Sequence, residues 1–386
     1  MFSSRVPGEL HANRLTQKIR QMRASGGEIL DLTETNPTAV GIHYPEALLA
    51  PLADPASARY DPHPLGIQTA REAVAREYER RGGRIAAERV VLTASTSEAY
   101  SILFKLLCNP SGDSVMVPVP SYPLFDHLTA LDGVRAAAYR LEYHGRWMVD
   151  FDALDERWDG GVRAVLAVSP NNPTGSTLNP AEFGGLSDRC GARTAALIID
   201  EVFADYPLRA EPVPWSQTDA PALTFRLGGL SKSVGLPQVK LGWIAVDGPD
   251  RVVHAALQRL ELICDTYLSV STPVQLAAPR LLSDGAAVRR QILDRVRTND
   301  AALRELASRF PSIEPLQSDA GWSTVLRVPA TRPEEELVLE LLERDGVLVH
   351  PGFFFDFAHE AFLVLSLLPD PVVFAEGVRR LLARAS

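Results

Sequence analysis

Lys232 follows Gly228-Gly229-Leu230-Ser231 directly after an apolar run, in a loop of small residues. A lysine in a partly desolvated pocket has a lowered pKa and attacks carbonyl groups. Four other short stretches stand at the end of an apolar run in the same way. Ala94-Ser95-Thr96-Ser97 opens a helical pattern, where free backbone N–H groups and small hydroxyls suit a phosphate. Tyr122 lies between Pro120 and Pro123, which hold it stiffly enough to wall a flat pocket. Pro170-Asn171-Asn172-Pro173-Thr174-Gly175 forces a defined turn, from which an asparagine can donate to a ligand oxygen. Asp200 closes Leu197-Ile198-Ile199 and, if buried there, needs a cation or hydrogen bonds.

Singly, each has an ordinary reading: a helix cap, a rim aromatic, a plain turn, a capping aspartate, a solvated lysine. In series they match what pyridoxal 5′-phosphate (PLP) requires. Its aldehyde needs a lysine, and its pyridine nitrogen needs an anion to stay protonated and draw electrons. Its phenolic oxygen needs a donor, its ring a stacking face, and its phosphate a helix N-terminus.

The elements that must position these groups are readable from apolar patterning. Runs at 90–93, 114–118, 164–169, 196–200, 224–228 and 241–246 mostly lack alternation, so they read as strands buried on both faces. Helical patterns lie between several of them. Ala99, Ile102, Leu103, Leu106 and Leu107 recur on one face of 98–107, and 181–190 follows the helix start Asn179-Pro180. This order predicts an α/β domain with a mostly parallel sheet between helices, with ligands at the carboxyl ends of the strands. Beyond it, one long helical stretch at 272–310 precedes 321–328, a helix near 334–345, strands near 347–350 and 362–368, and a last helix at 371–384. Those elements predict a smaller α+β domain, on which the N-terminal helix 13–25 and segment 29–33 pack. The expected division is a large PLP-binding domain of 46–275 and a small domain of 1–45 with 276–386.

Composition narrows the function classes. The 386 residues carry 48 acidic and 39 basic side chains, a net charge of −9, which repels phosphate backbones and argues against nucleic acid as a partner. No apolar run reaches the roughly 20 residues of a membrane helix, and the N-terminus lacks an apolar signal core. Cys108, Cys190 and Cys264 form neither a disulfide framework nor a zinc spacing. A cytoplasmic protein with reduced thiols, no metal and no membrane partner is expected.

The chain resembles the class I/II aminotransferases of PLP fold type I, aspartate-aminotransferase-like, over nearly its whole length. Residues 169–175 look like that family's S-P-N-N-P-T-G, and Asp200-Glu201-Val202 like its D-E-[IV]. Ser231-Lys232, with Gly235, Pro237 and Leu241-Gly242-Trp243 in step, looks like its S-K-x-x-G-x-P-G-x-R-x-G-W. By this resemblance, Lys232 holds PLP as an internal aldimine and shuttles the substrate proton, while Asp200 pairs with the pyridinium. Asn172 bonds the phenolic oxygen, Tyr122 stacks on the ring, and Ser95, Thr96 and Ser97 meet the phosphate. The resemblance also implies a homodimer with the site at the subunit interface, where Tyr60 reaches the neighbouring phosphate. The implied activity moves an amino group between an amino acid and a 2-oxo acid, through a pyridoxamine phosphate intermediate.

Four departures from the family pattern bear on that expectation. Lys240 stands where the family has a phosphate-binding arginine, which keeps the charge but loses the bidentate fork. Gly229 and Ser95 replace a serine and a glycine, and hydroxyls of Ser95, Thr96, Ser97 and Ser231 compensate. Phe203 replaces a tyrosine that donates to the phenolic oxygen. Val364 stands where an arginine grips the substrate carboxylate, in a strand with no basic residue. Arg327, with Arg14 and Arg20, is a replacement candidate, and Asn36 or Thr35 contributes from the N-terminal loop. The missing arginine keeps open a PLP-dependent lyase or decarboxylase on the same scaffold, or a transaminase with non-standard carboxylate recognition. Lys232, Asp200 and Asn172 together argue against a non-catalytic PLP-binding module.

Overall fold

In the computed structural model, which describes residues 2–8, 11–209, 221–268 and 270–386, the apolar runs join one eight-stranded sheet. Across it the strands are ordered Val90–Thr93, Gly242–Asp247, Thr224–Gly229, Ala196–Asp200, Val162–Val168, Ser114–Val119, Arg135–Tyr143 and Trp147–Val149. All run the same way except Gly242–Asp247 and Trp147–Val149, which pair antiparallel to their neighbours. The ends of the five strands that precede the candidate chemical residues therefore share one edge, and Gly242–Asp247 begins at that edge.

Alternate residues of each strand face opposite ways, and both faces are buried. Helices Thr96–Leu107 and Asp250–Tyr267 cover one face, packing with Val115, Ile198 and Ile244. Helix Pro180–Ala192 covers the other, with Met116, Val165 and Leu197. The capping box of that helix forms as its sequence predicts: Asn179 takes the N–H of Glu182, and Glu182 takes that of Asn179.

Four places differ from the sequence reading. Helix Asp250–Tyr267 fills a stretch left unassigned, although Val253, Ala256, Leu260 and Cys264 bury one face at helical spacing. The edge hairpin of Arg135–Tyr143 and Trp147–Val149 is also unassigned, because a half-exposed edge strand carries no continuous apolar run. The long helix expected at 272–310 is two helices, Thr272–Asp284 and Ala286–Ala307, parted at Gly285. A Cβ on Gly285 would lie 2.7 Å from that of Val234, two residues past Lys232, so only glycine fits this close approach. The strand expected at 347–350 serves two sheets. Val347–Leu348 pairs with Leu30–Asp31, and His350–Pro351 pairs with Phe362–Ser366.

A four-stranded sheet of Glu314–Pro315, Ser323–Arg327, Phe362–Ser366 and His350–Pro351 organises the C-terminal part. Helices Glu334–Asp345, Ala286–Ala307 and Pro371–Ala385 pack about it, and helix Arg14–Ala24 lies against Glu334–Asp345. Helix Thr272–Asp284 packs instead on helix Gln68–Arg80 and the turn Glu46–Ala53. The division expected after residue 275 falls within that helix.

Candidate active site

The shared strand edge opens into a pocket of about 190 Å³, lined from both sheet systems. Thr96 and Ser97 line one end, in the first turn of the twelve-residue helix Thr96–Leu107. Its unsatisfied N–H groups and dipole suit an anion there. Gly242 faces this turn, where a Cβ would come within 3.0 Å of the Thr96 nitrogen. Ser95 caps the helix by accepting the Glu98 N–H at 3.1 Å, and it does not line the pocket. Its hydroxyl hydrogen is still free to donate.

Asp200 ends the strand Ala196–Asp200 inside the pocket, with its carboxylate buried. Its Oδ2 accepts the Tyr100 hydroxyl at 2.6 Å, and its Oδ1 accepts the Val202 N–H at 3.0 Å. Burial pushes the acid up to about 6 against these two bonds, which favour the charged form. Lys232 sits in the helical turn Leu230–Ser233 that follows strand Thr224–Gly229. Burial pulls its amine down to about 8, and the Asp200 charge opposes that shift. Its Nζ lies 4.8 Å from the ring centre of Trp322 and 5.6 Å from that of Phe203. The turn is held from beneath. The Tyr206 hydroxyl donates to the Lys232 carbonyl, and Arg289 Nε donates to the Ser233 carbonyl at 2.8 Å.

The two asparagines of the proline-flanked turn divide their work. Asn171 is buried, donates to the Pro120 carbonyl at 3.0 Å, and accepts the Ser121 hydroxyl at 2.7 Å. Asn172 lines the pocket, where its Oδ1 accepts the Ser323 hydroxyl at 3.3 Å. Gly175, at φ +67°, lets the turn close against the Ala320 carbonyl, which a Cβ would meet at 2.6 Å. Tyr122 lines the pocket beside Phe125, its ring centre 5.8 Å away and edge-on.

Lys232, Asp200, Asn172, Tyr122, Thr96, Ser97 and Ser231 thus converge on one pocket. Other expected residues stand apart. Lys240 is exposed in a left-handed conformation (φ +61°), outside the lining but next to Leu241, which belongs to it. Tyr60 is 72% exposed and does not line the pocket. Asn36 caps the turn Pro37–Ala39 through the Thr38 N–H, and its neighbour Thr35 lines the pocket instead. Arg327 is corrected as a carboxylate candidate: it lies exposed at the far end of its strand, paired with Glu314. Arg14 is likewise taken up by Glu335. Val364 is buried with Trp147, Leu316, Val325 and Phe355, so apolar packing occupies the place expected of an arginine.

Tyr100, Phe125, Trp322 and Ser323 line the pocket and were not singled out in the sequence. Tyr100 falls within the helical pattern 98–107 but is not among the apolar positions read there. Trp322 and Ser323 open a strand distant in sequence, which no local pattern connects to Lys232.

A buried carboxylate, a desolvated amine and an anion-accepting helix start within one pocket fit PLP and define a PLP enzyme of fold type I. A family model described as aminotransferase class I and II matches residues 36–379, and the chain belongs to that family. An alanine aminotransferase of Mycobacterium tuberculosis (strain H37Rv) is 26% identical over 396 residues, covering 99% of this chain and 89% of the relative. A glutamate-pyruvate aminotransferase of Escherichia coli (strain K12) is 23% identical over 350 residues, covering 88% and 86%. The solved alanine aminotransferase from Pyrococcus furiosus shares the fold at a TM-score of 0.88 and 21% identity, over 99% of both chains. The aspartate aminotransferase from Thermotoga maritima shares it at 0.82 and 21%, again over 99% of both. The chain is a transaminase that uses PLP. Among the described residues, no helix is long and apolar enough to cross a membrane.

Proposed function

We propose that Lys232 and Asp200 carry the transamination, moving an amino group between an amino acid and a 2-oxo acid. The observation that carries this reading is their meeting in one pocket at and just past the ends of neighbouring strands, where Tyr100 and Val202 fix the Asp200 carboxylate and Trp322 and Phe203 flank Lys232 Nζ. Bound there, PLP supplies a protonated ring that takes up the electron pair left when the substrate Cα–H bond breaks. Lys232 Nζ would take that proton from the substrate carbon and deliver it to the carbon that was the cofactor's aldehyde, as amino transfer requires. The Asp200 carboxylate, oriented by Tyr100 and Val202, would hold the ring N–H. Asn172 would serve the phenolic oxygen and Tyr122 the ring, while Trp322 and Phe203 flank Lys232 Nζ.

The phosphate is taken by the N–H groups and hydroxyls of Ser95, Thr96 and Ser97, with Ser231 and Lys240 adding a hydroxyl and a charge. The enzyme works in the cytoplasm as a homodimer, in which the exposed Tyr60 of one subunit reaches the phosphate site of the other. The large domain built on the eight-stranded sheet carries the cofactor, and the small domain carries Trp322 and Ser323.

Half-reaction spectroscopy tests the assignment. A suitable donor converts the aldehyde absorbance of the holoenzyme to the amine form, and a 2-oxo acid restores it. Alanine and glutamate, with pyruvate as acceptor, are the first pairs to try, given the names of the two relatives. Lys232→Ala abolishes the conversion. Release of ammonia or carbon dioxide with no need for an acceptor would contradict the reading. Unchanged PLP affinity in Lys240→Ala would remove that residue from the phosphate site and leave Lys232 standing.

A further inference from the structure

Among the described residues lining the pocket, Lys232 is the one cationic side chain, and it belongs to the cofactor. A substrate carboxylate entering this space meets no guanidinium from the described residues of this chain. Of the three arginines considered for that work, Arg327 is tied to Glu314 and Arg14 to Glu335, and Arg20 is exposed on helix Arg14–Ala24. What the wall does offer near Asn172 is neutral. The Ser323 hydroxyl is directed at Asn172 Oδ1, which turns the Asn172 amide nitrogen the other way. No hydrogen bond among the described residues engages that nitrogen.

We propose that Ser323 and Asn172 form a neutral recognition site for the group beside the reacting amine. The enzyme therefore accepts α-amino amides about as well as the corresponding free amino acids. The inference rests on the transamination reading and adds a substrate class to it.

The chemistry of the donors carries the argument. A guanidinium presents donors only and rejects an uncharged amide, because the lost ion pair leaves a buried charge unmatched. A hydroxyl both donates and accepts, so Ser323 can serve a carboxylate oxygen, an amide carbonyl or an amide N–H. Asn172 Nδ2 donates equally well to either kind of oxygen. A site with no fixed charge loses little when the ligand's charge is removed. The remaining wall is aromatic, from Tyr122, Phe125, Phe203 and Trp322, and provides no counter-charge that would restore the discrimination.

The test uses the holoenzyme with L-alanine, L-phenylalanine and L-glutamate, each paired with its α-carboxamide. Cofactor absorbance gives the half-reaction kcat/KM, corrected for the free-amine fraction of each compound at the working pH. In parallel, binding of 2-methylalanine and its amide, which lack a Cα hydrogen, is titrated by the same absorbance. The expected acid-to-amide ratios, in rate and in binding, lie within about tenfold, and Ser323→Ala lowers acid and amide alike by about tenfold. A preference for the acid beyond that range, toward the roughly 100-fold of a buried ion pair, would overturn the proposal and leave transamination intact. Rates and binding left unaltered in Ser323→Ala would also overturn it. Failure of acids and amides alike to convert the cofactor would defeat the transamination reading itself, and this inference with it.

Discussion

The Tyr100 hydroxyl donates to Asp200 Oδ2 at 2.6 Å inside a buried layer between helix Thr96–Leu107 and the sheet. One helix thus presents Thr96 and Ser97 to an anion at its start and Tyr100 to the carboxylate a turn later. Cofactor geometry and cofactor electrostatics share a single rigid element.

Asp200 is expected to destabilise the protein without cofactor at neutral pH. Its native value of about 6 lies above the roughly 3.9 of an unfolded chain, so the native state binds the proton more tightly. The stability it contributes is present below about 4 and is lost as the pH rises through about 6. Asp200→Asn should raise apoprotein stability at pH 7–8 by about 1–3 kcal/mol, and lower the half-reaction rate by about 100-fold or more. Urea denaturation across pH 4–8 and single-turnover absorbance measure the two effects. Tyr100→Phe removes a bond to the charged form and should move the stability transition to higher pH.

The Lys232 amine should titrate near pH 8 in the apoprotein. Limiting acetic anhydride, followed by peptide mass spectrometry, reads the free-base fraction at each pH. The Asp200 charge opposes the burial shift, so the midpoint in Asp200→Asn should fall further. A midpoint near the ordinary lysine value would show that water reaches Nζ.

Tyr206 and Arg289 should hold the lysine turn in place. Tyr206 donates to the carbonyls of Lys232 and Ser233, and Arg289 ties Ser233 to Glu77 at 2.8 Å. Tyr206→Phe leaves a buried carbonyl without its donor and is expected to cost about 1–3 kcal/mol by urea denaturation. Arg289→Met leaves the Ser233 carbonyl without that donor and takes one of two cations from Glu77 and Asp205, which keep Arg80, so it should also cost about 1–3 kcal/mol. Both variants should broaden the Lys232 acetylation midpoint.

Phe203 faces the pocket edge-on to Trp322, with ring centres 5.4 Å apart, and has no hydrogen to give a phenolic oxygen. Phe203→Tyr adds a donor that favours the deprotonated, charge-separated form of the cofactor adduct. The pKa read from the holoenzyme's absorption spectrum should therefore fall. A rise would place the new hydroxyl away from that oxygen.

Much of this was legible in one dimension. Strands buried on both faces must be continuously apolar, so they announce themselves without neighbours. The prolines and glycines around Asn172 and Lys232 mark turns by their own backbone limits. Thus Lys232, Asp200, Asn172 and Tyr122 could be picked out as the ends of predictable strands, and the departures at Phe203, Lys240 and Val364 could be named before any geometry. The break at Gly285 was not legible, because its cause is Val234 pressing from a distant turn. Trp322 and Ser323 were not, because they reach the pocket only when a second sheet docks beside the first. Arg327 was a candidate to replace the missing arginine, yet strand geometry carries it to the exposed end and Glu314 claims it. Which residues have chemistry is a property of the chain. Which of them lose water together, and so acquire shifted pKa values and partners, is a property of the packing alone.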